Sequence, residues 1–581
     1  MFDKVLVANR GEIAIRVFRT LRELGLGSVA VYSEADRTSL HVSYADEAFL
    51  IGPPPAAESY LKIDRLVDTA TKAGAGAVHP GYGFLAENAT FARAVEAAGL
   101  TWIGPPPDAI ELMGSKTRAR RAMEAAGVPI IPGTTEPVGS LEELLAVGDA
   151  LGYPLLIKAA AGGGGKGMEE VHAPEAAERA FATAQRQGQS YFASPDVYVE
   201  KLIVDPRHIE VQVLADSHGN VIHLGERDCT IQRRHQKLVE ETPSPAVDTE
   251  LRARIGRIGV DAARAAGYRS AGTVEGLLTQ DGEYFFMEMN TRIQVEHTVT
   301  EEVTGLDLVR EQIRIALGEP LSITQAQVEL RGHAIECRIN AEDAANGFLP
   351  SPGLVTAYSE PSGPGVRIDS GVAAGSEISG VYDPMIAKLI VHGVDREHAR
   401  RRMLRALDEF VIGGPKTLLG FHKALLRHEC FVRGETCHGL VESEELAARA
   451  AELEPVHAAA TTNGRSVERL RTVEVDGRRF EVRVLQPEQP WLELARRRTE
   501  RVRSSGAGGA DAIVSPMQGT VLSVAVADGD LVETGQVLCI VEAMKMENEV
   551  RAPHGGVVTE LSIAAGEPVG AGQVICVLAI A

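Results

Sequence analysis

Glu275 and Glu288 lie on either side of Asp281-Gly282, a hairpin signal, so the sequence predicts two strands that bring both carboxylates to one face. Asn290 follows Glu288 by two residues, and strand alternation points the two the same way. Hard oxygen donors grouped like this are what Mg²⁺ requires beside nucleotide phosphates. The alternative is a pair of solvated strand acids. Phe285-Phe286-Met287 beside them favours a semi-buried setting, where a carboxylate wants a cation. Arg292, Gln294 and Glu296 continue the alternation from Asn290, so polar side chains at every second residue line one face of an extended segment. A core strand would not carry them, and a surface strand has no need of the mixture.

A second chemical feature is Ala161-Gly162-Gly163-Gly164-Gly165-Lys166-Gly167, which follows an apolar strand, Leu155 to Ala159, containing Lys158. Consecutive glycines let backbone N–H groups approach phosphate oxygens closely. Glycine runs are equally common in floppy loops. This one is not a P-loop, because Gly167 stands where Ser or Thr should follow the lysine.

The elements that must position these groups follow from periodicity. An apolar strand at residues 4–8, the turn Asn9-Arg10-Gly11-Glu12, an amphipathic helix from Ile13 to Leu24 and a strand from Val29 to Tyr32 open the chain as a doubly wound parallel sheet. That pattern runs to about residue 113 and includes the loop His79-Pro80-Gly81-Tyr82-Gly83-Phe84; such strand-end loops are where open α/β sheets bind ligands. Residues 114–330 mix strands, helices and the Gly-rich loop, and 331–446 form a further α+β unit. From Ala447 the composition becomes linker-like. A hairpin is expected at 471–485 around Asp476-Gly477, and a basic run from Arg496 to Arg503, read as a solvated or docking segment, precedes a Gly/Ser/Ala tether.

The last 71 residues contain a repeat. A shift of 37 aligns Pro516 with Pro553, Gly519 with Gly556, Val521 with Val558, Gly529 with Gly566 and Val532 with Val569, and then Gly535, Gln536, Val537 and Cys539 with Gly572, Gln573, Val574 and Cys576. Each half reads as short strands with glycine turns, so the pair predicts a flattened β-sandwich with a pseudo-twofold axis. The join falls at Glu542-Ala543-Met544-Lys545-Met546-Glu547-Asn548, which sets Lys545 at a tight turn near that axis. An ordinary exposed lysine is the plain alternative; the Met-Lys-Met turn, the duplication and the tether together favour a modification arm.

Composition bounds the rest. With 581 residues the chain exceeds one core. A formal charge of −21 argues against nucleic acid and anionic membrane as partners. Six scattered cysteines without a C-x-x-C pair suggest a reducing compartment. No apolar run reaches membrane-spanning length, and the N-terminus enters a strand at once, so a cytoplasmic protein is expected.

Ala543-Met544-Lys545-Met546 resembles the biotinyl-lysine motif of biotin carboxyl carrier domains, and Met1 to about residue 446 resembles biotin carboxylase of the ATP-grasp family. Together they resemble the α subunit of an acyl-CoA carboxylase. The implied architecture is multidomain: an α/β doubly wound domain (1–113), an α+β ATP-grasp domain with a mobile lid (114–330), an α+β C-terminal carboxylase domain (331–446), a linker or partner-docking segment (447–510) and an all-β flattened sandwich, the biotinyl domain (511–581).

The resemblance implies site residues as well. Lys116, Lys158 and the lid residues Gly163, Gly164, Gly165, Lys166 and Gly167 hold ATP phosphates. Glu200, Lys201 and Leu202 face the adenine, and His208, Gln232 and His235 complete the nucleotide site. Mg²⁺ or Mn²⁺ sits on Glu275, Glu288 and Asn290. Arg292, Gln294 and the Val295 backbone hold bicarbonate, Glu296 is the general base, and Lys237 and Arg338 complete the anion site, with Arg338 stabilising the biotin enolate. Tyr82 and Gly83 border the biotin ring, and biotin is attached to Lys545. The implied partners are a biotin protein ligase and a carboxyltransferase (β) subunit, within a homo-oligomeric αβ assembly. The competing readings are the corresponding subunit of a pyruvate, methylcrotonyl-CoA or geranyl-CoA carboxylase, another ATP-grasp ligase, which leaves Lys545 without a purpose, and a lipoyl-type carrier or scaffold, for which Asp-Lys-Ala rather than Met-Lys-Met is expected. Three departures from the family pattern stand out: Glu169-Glu170 beside the lid, Gly276 after Glu275, and Gly414-Pro415.

Overall fold

The computed structural model describes residues 2–159, 168–192, 194–454, 466–475, 478–487, 512–516, 519–543, 546–570 and 572–579. They fall into two units, Met1–Ala460 and Thr461–Ala581.

The first unit opens with a five-stranded parallel sheet: β1 (Lys4–Val7), β2 (Gly27–Ser33), β3 (Glu47–Gly52), β4 (Ala77–His79) and β5 (Thr101–Trp102), in the order β3-β2-β1-β4-β5. Strand order reverses between β1 and β4, and the crevice beyond their carboxyl ends is the ligand position of such sheets. Both turns singled out in the sequence meet there. The Asn9 side-chain amide donates to the carbonyls of Pro80 (2.8 Å) and Tyr82 (2.6 Å). A β-carbon on Gly81, whose φ is +64°, would lie 2.8 Å from that amide nitrogen, so the loop needs glycine here.

β6 (Leu155–Ala159), β7 (Met168–Val171) and β8 (Val197–Lys201) form a separate antiparallel sheet in the order β7-β6-β8. The glycine run joins β6 to β7; Gly163, Gly164, Gly165, Lys166 and Gly167 lie outside the described residues.

The main sheet has eight strands. β9 (Arg207–Ala215), β10 (Val221–Arg233), β11 (Gln236–Thr242), β12 (Ser270–Leu278), β13 (Tyr284–Asn290) and β14 (His333–Asn340) combine with Met385–Gly393 and Val366–Ser370. The order is β13-β12-β9-β10-β11-β14, then Met385–Gly393 and Val366–Ser370. β11 pairs with β14, Val239 opposite Cys337 and Glu240 opposite Glu336, so one ladder runs from the ATP-grasp region into the C-terminal region. On one face, Val239, Ile335, Cys337, Ile339, Leu389 and Val391 are core. On the other, Glu240, Glu336, Arg338 and Lys388 are carried into the interior. That buried charged layer has the site built on it.

In the second unit, Ser466–Val475 and Arg478–Pro487 pair as a hairpin, longer than the 471–485 expected; Asp476 and Gly477 lie outside the described residues. The C-terminal strands form two four-stranded sheets. Gly519–Val524 pairs with Pro568–Val569 in one, while Leu531–Val532 pairs with Gly556–Thr559 in the other. Each strand thus has its repeat partner in the opposite sheet, the exchange a pseudo-twofold axis requires. Val521, Cys539, Val558 and Cys576, repeat equivalents in pairs, are all buried in the shared core.

Cys430 and Cys437 form a disulfide, with 5.6 Å between their α-carbons. This corrects the expectation of unpaired cysteines. The short helix Glu429–Arg433 ends in Gly434 at φ +71°, which turns the chain back on itself, and nothing in the sequence spacing announces that turn. The other four cysteines are buried thiols. No helix among the described residues is long and apolar enough to cross a membrane.

Three buried imidazoles set an acid limit on the first unit. Burial holds His41, His79 and His422 down to about 4, against an ordinary value of 6.5. Each must stay neutral to fold, so stability is full above pH 6.5 and falls as pH drops toward 4, by about 2 kcal/mol per imidazole at pH 5. Thermal melts of the full chain should show the first unit's midpoint falling continuously from pH 7 to pH 5; a flat midpoint would contradict neutral burial.

Candidate active site

The β12–β13 hairpin forms as the turn signal requires, with Glu275 directly opposite Glu288 and Thr273 opposite Asn290. Glu275 is buried, and Glu288 is the more accessible of the two, although burial first and Glu275 second still raise its carboxyl. Gly276 does not loosen the ladder. A β-carbon there would lie 2.4 Å from the Tyr284 ring, which occupies the space a side chain would fill, at a bulge between Glu275 and Gly276.

The extended face predicted for 290–296 ends at Asn290. The chain then bends, and Glu296 immediately precedes the helix His297–Thr304. The polar side chains converge nevertheless, because buried partners pull them in. Arg227 is fully buried and spends its five N–H donors on Glu210, Gln212, Thr300, Thr273 and Gln294. Since Gln294 Oε1 accepts from Arg227, its amide nitrogen must face the other way, where it donates to Glu275 Oε1 at 2.6 Å.

Lys237 is the hub. Its ammonium donates to Glu296 (2.6 Å), Glu275 (2.9 Å) and Glu210. Arg338 donates to Glu296 Oε2 at 2.9 Å and to Glu240 Oε1 at 2.6 Å. Burial alone would raise the Glu296 carboxyl; Lys237, Arg338 and Arg227 override it and hold the group far below the carboxylate range. Glu275 behaves alike, burial being outweighed by Lys237 and His208, whose Nε2 lies 2.9 Å from Glu275 Oε2.

Arg292 donates to Asn290 Oδ1 and to Glu87 Oε2, both at 3.1 Å. The Val295 carbonyl is taken by Lys388 at 2.9 Å, which leaves the amide of that residue as the group to face an anion. Lys388 is itself fully buried and lies 3.3 Å from Glu12, the carboxylate that accepts the Tyr82 hydroxyl. Tyr82 thereby joins the site through its hydroxyl, while Gly83 is exposed beside it.

On the nucleotide side, Lys116 is within electrostatic reach of Glu288, Lys158 and Glu200. Lys158 is paired with Glu200 at 2.5 Å, and Arg120 holds the other Glu200 oxygen at 2.8 Å. Lys158 must therefore exchange partners to meet a phosphate. The Lys201 and Leu202 amides donate to the carbonyls of Pro132 and Pro154, and the Lys201 ammonium caps the carbonyls of Gly152 and Tyr153. Gln232 turns back onto the Cys229 carbonyl. His235 is exposed at the tip of the β10–β11 hairpin, with φ +64°, outside the hydrogen-bonded set. The acids Glu169 and Glu170 on β7 are engaged by Gln187 and His172.

Sequence reading missed Glu87, Glu210, Arg227, Glu240 and Lys388. The available signal was a charged residue at an inward position of an otherwise apolar strand: Glu210 alternates with Ile209 and Val211, and Lys388 sits in Ile386-Ala387-Lys388-Leu389-Ile390. Glu275 Oε1 accepts from the Asn290 amide nitrogen while Asn290 Oδ1 accepts from Arg292, and Glu288 stands directly opposite Glu275; with that amide turned over, the three side chains would present the oxygen donors that Mg²⁺ takes.

Comparison with known proteins gives this arrangement its family. Residues 1–110 match the biotin carboxylase N-terminal domain, 115–324 the ATP-binding domain of the carbamoyl-phosphate synthase L chain, 336–443 the biotin carboxylase C-terminal domain, and 511–578 the biotin-requiring enzyme domain. The biotin-dependent acyl-coenzyme A carboxylase alpha3 subunit of Mycobacterium leprae is 46% identical, over 94% of this chain and 94% of its own. A pyruvate carboxylase subunit of Methanothermobacter thermautotrophicus is 56% identical over 75% of this chain and 88% of its own. The crystal structure of the biotin carboxylase domain dimer of Hydrogenobacter thermophilus 2-oxoglutarate carboxylase, with MgADP, ADP and bicarbonate, superposes with a TM-score of 0.73 at 47% identity, covering 77% of this chain and 99% of that one. The chain belongs to the biotin carboxylase family. Within it, this is the form that carries its own biotinyl domain, with biotin as cofactor.

Proposed function

We propose that the chain uses ATP and bicarbonate to carboxylate biotin carried on its own Lys545, and passes the carboxyl group to a separate carboxyltransferase subunit that acts on an acyl-CoA. The observation that carries the reading is the Glu296 carboxylate clamped between Lys237 and Arg338, with the Gln294 amide alongside and the Glu275–Glu288–Asn290 edge adjoining. A base, an anion site and a metal edge in one hydrogen-bonded set suit activation of bicarbonate beside a nucleotide γ-phosphate.

Bicarbonate entering beside Gln294 and the Val295 amide draws Lys237 and Arg338 away from Glu296, and Glu296 recovers its basicity as they turn. It takes the bicarbonate proton, and the oxyanion attacks the γ-phosphoryl group in line, releasing ADP and forming carboxyphosphate. Lys116 and Lys158 neutralise the phosphates, and Glu275, Glu288 and Asn290 would hold Mg²⁺, which would supply further charge neutralisation there. Carboxyphosphate would divide into CO₂ and phosphate; the phosphate would take the biotin N1 proton, N1 would form its bond to the CO₂ carbon, and Arg338 is the residue that would hold the ureido oxygen. The nucleotide roles of Glu200, Lys201, Leu202, His208, Gln232 and His235, the lid role of Gly163 to Gly167, and Tyr82 and Gly83 beside biotin belong to the same reading.

An acyl-CoA acceptor is favoured because the relative of that name aligns over carboxylase and carrier alike, whereas the pyruvate carboxylase relative matches three quarters of the chain. We place the enzyme in the cytoplasm, with 447–510 as the partner-docking segment and a biotin protein ligase loading Lys545. The test uses full chain co-expressed with a biotin ligase, MgATP and labelled bicarbonate. Protein-bound label that needs ATP and vanishes with avidin is the expected result. A biotinylated chain that takes up no label would move another ATP-grasp ligase to the front.

A further inference from the structure

Glu296 in the resting site is a poor base, because two cations share it. One of them, Arg338, has a second carboxylate in its grip. Glu240 on β11 is fully buried; its Oε1 accepts from Arg338 Nε at 2.6 Å and lies 2.5 Å from Nη2, the nitrogen that also serves Glu296. Its other oxygen, Oε2, is buried with no hydrogen-bond partner among the described residues. Directly opposite on the ladder stands Glu336, also buried. Glu336 Oε2 accepts the Thr298 hydroxyl, and Glu336 Oε1 is likewise without a partner. Each of these directly opposed buried carboxyls thus keeps an oxygen that no donor reaches, and two such neighbours do not readily carry charge together.

We propose that Glu240 is a positioning residue that competes with Glu296 for Arg338, with the opposed Glu336 keeping the pair's proton. The proposal rests on the reading of Glu296 as the base. With Glu240 ionised, the guanidinium charge is spent on Glu240, and Glu296 needs only Lys237 to turn toward bicarbonate. With Glu240 protonated, Arg338 falls back on Glu296 and suppresses it.

The groups facing Glu240 are Arg338, Glu336 and Cys337 from β14, Glu296 at the start of the helix His297–Thr304, Lys237 on its own strand and Cys229 on β10. Burial pushes Glu240 up to about 7, against the pull of Arg338. Glu336 is raised well above the carboxylate range, by burial first and with Lys388 opposing, and the Cys229 thiol is raised by burial, so both stay neutral. Charge on Arg338 is therefore divided differently on the two sides of neutrality, and the dependence runs upward with pH.

The experiment measures kcat and KM for ATP in bicarbonate-dependent ATP cleavage with free biotin, from about pH 6 to pH 9, for the full-length wild type, E240Q and E240D. The wild type should show a rising limb centred near pH 7. E240Q should lose that limb and fall about thirtyfold in kcat with KM for ATP unchanged, since one charge-assisted bond to Arg338 is gone. E240D should restore the limb. An E240Q enzyme within about twofold of wild type, or one that is slower but keeps the limb, overturns the proposal. Infrared pH-difference spectra of the wild type give a reading that needs no folded variant: a buried carboxyl losing its proton near pH 7 supports the role, and none titrating there overturns it. A wild type that cleaves no ATP with bicarbonate overturns the proposed function itself, and is told apart because no variant is needed to see it.

Discussion

Glu296→Gln should lower bicarbonate-dependent ATP cleavage by about a thousandfold, the weight of a positioned general base. The glutamine keeps the shape of the side chain and removes its proton-accepting capacity. The fold should survive, because neither cation is stranded: Lys237 retains Glu210 and Glu275, and Arg338 retains Glu240. KM for ATP should stay within about twofold, since the role proposed for Glu296 is toward bicarbonate and not the nucleotide. Steady-state rates with and without bicarbonate check this. A near-normal rate would remove Glu296 as the base and leave the anion site without an explanation.

Lys545→Ala should abolish ATP-dependent incorporation of label into the chain altogether. Ala543 pairs with Met546 across the hairpin Val537–Ala543 to Met546–Arg551, and Met544 and Lys545 between them lie outside the described residues. Lys545, flanked by Met544 and Met546 at the join of the two repeats, is the residue we propose a biotin ligase loads. The first unit has its own cores and its own site, so the variant should carboxylate added free biotin at the wild-type rate. Loss of both activities would end the modular reading; retained label would move the attachment point elsewhere.

The parts of this molecule that were legible beforehand share a physical trait: the signal is local. The carrier duplication is visible because glycine turns and inward valines recur at one spacing, and the strands fall where that spacing puts them. The hairpin bearing Glu275 and Glu288 is legible from Asp281-Gly282, since turn chemistry fixes the register. Residues 290–296 were half legible. Their alternation announced convergence, but the shape that delivers it is a bend drawn inward by Arg227, which is distant in sequence. Glu210, Glu240 and Lys388 were not legible because a charged residue in an apolar strand has no local reason to exist; its reason is a partner on another strand. The Cys430–Cys437 bond belongs to the same class. Gly276 read as a weakness, and the Tyr284 ring and Phe285 carbonyl of the neighbouring strand explain why nothing larger fits.

The ladder between β11 and β14 has a mechanical consequence. Family boundaries divide the chain between residues 324 and 336, but no seam exists there: Lys237 and Arg338 ride on neighbouring strands of one hydrogen-bonded sheet. The backbones that carry the two cations clamping Glu296 are thereby fixed to one stiff plate, so the cations leave Glu296 by turning their side chains and not by the strands parting. Whatever yields to admit ATP has to be hinged outside that plate. The three strands β6, β7 and β8, which share no hydrogen-bonded ladder with it, bring Lys158 and Glu200 to the site from beyond the plate. Chemistry that tolerates little misplacement is assigned to the rigid part, and traffic to the part that, among the described residues, shares no strand ladder with it.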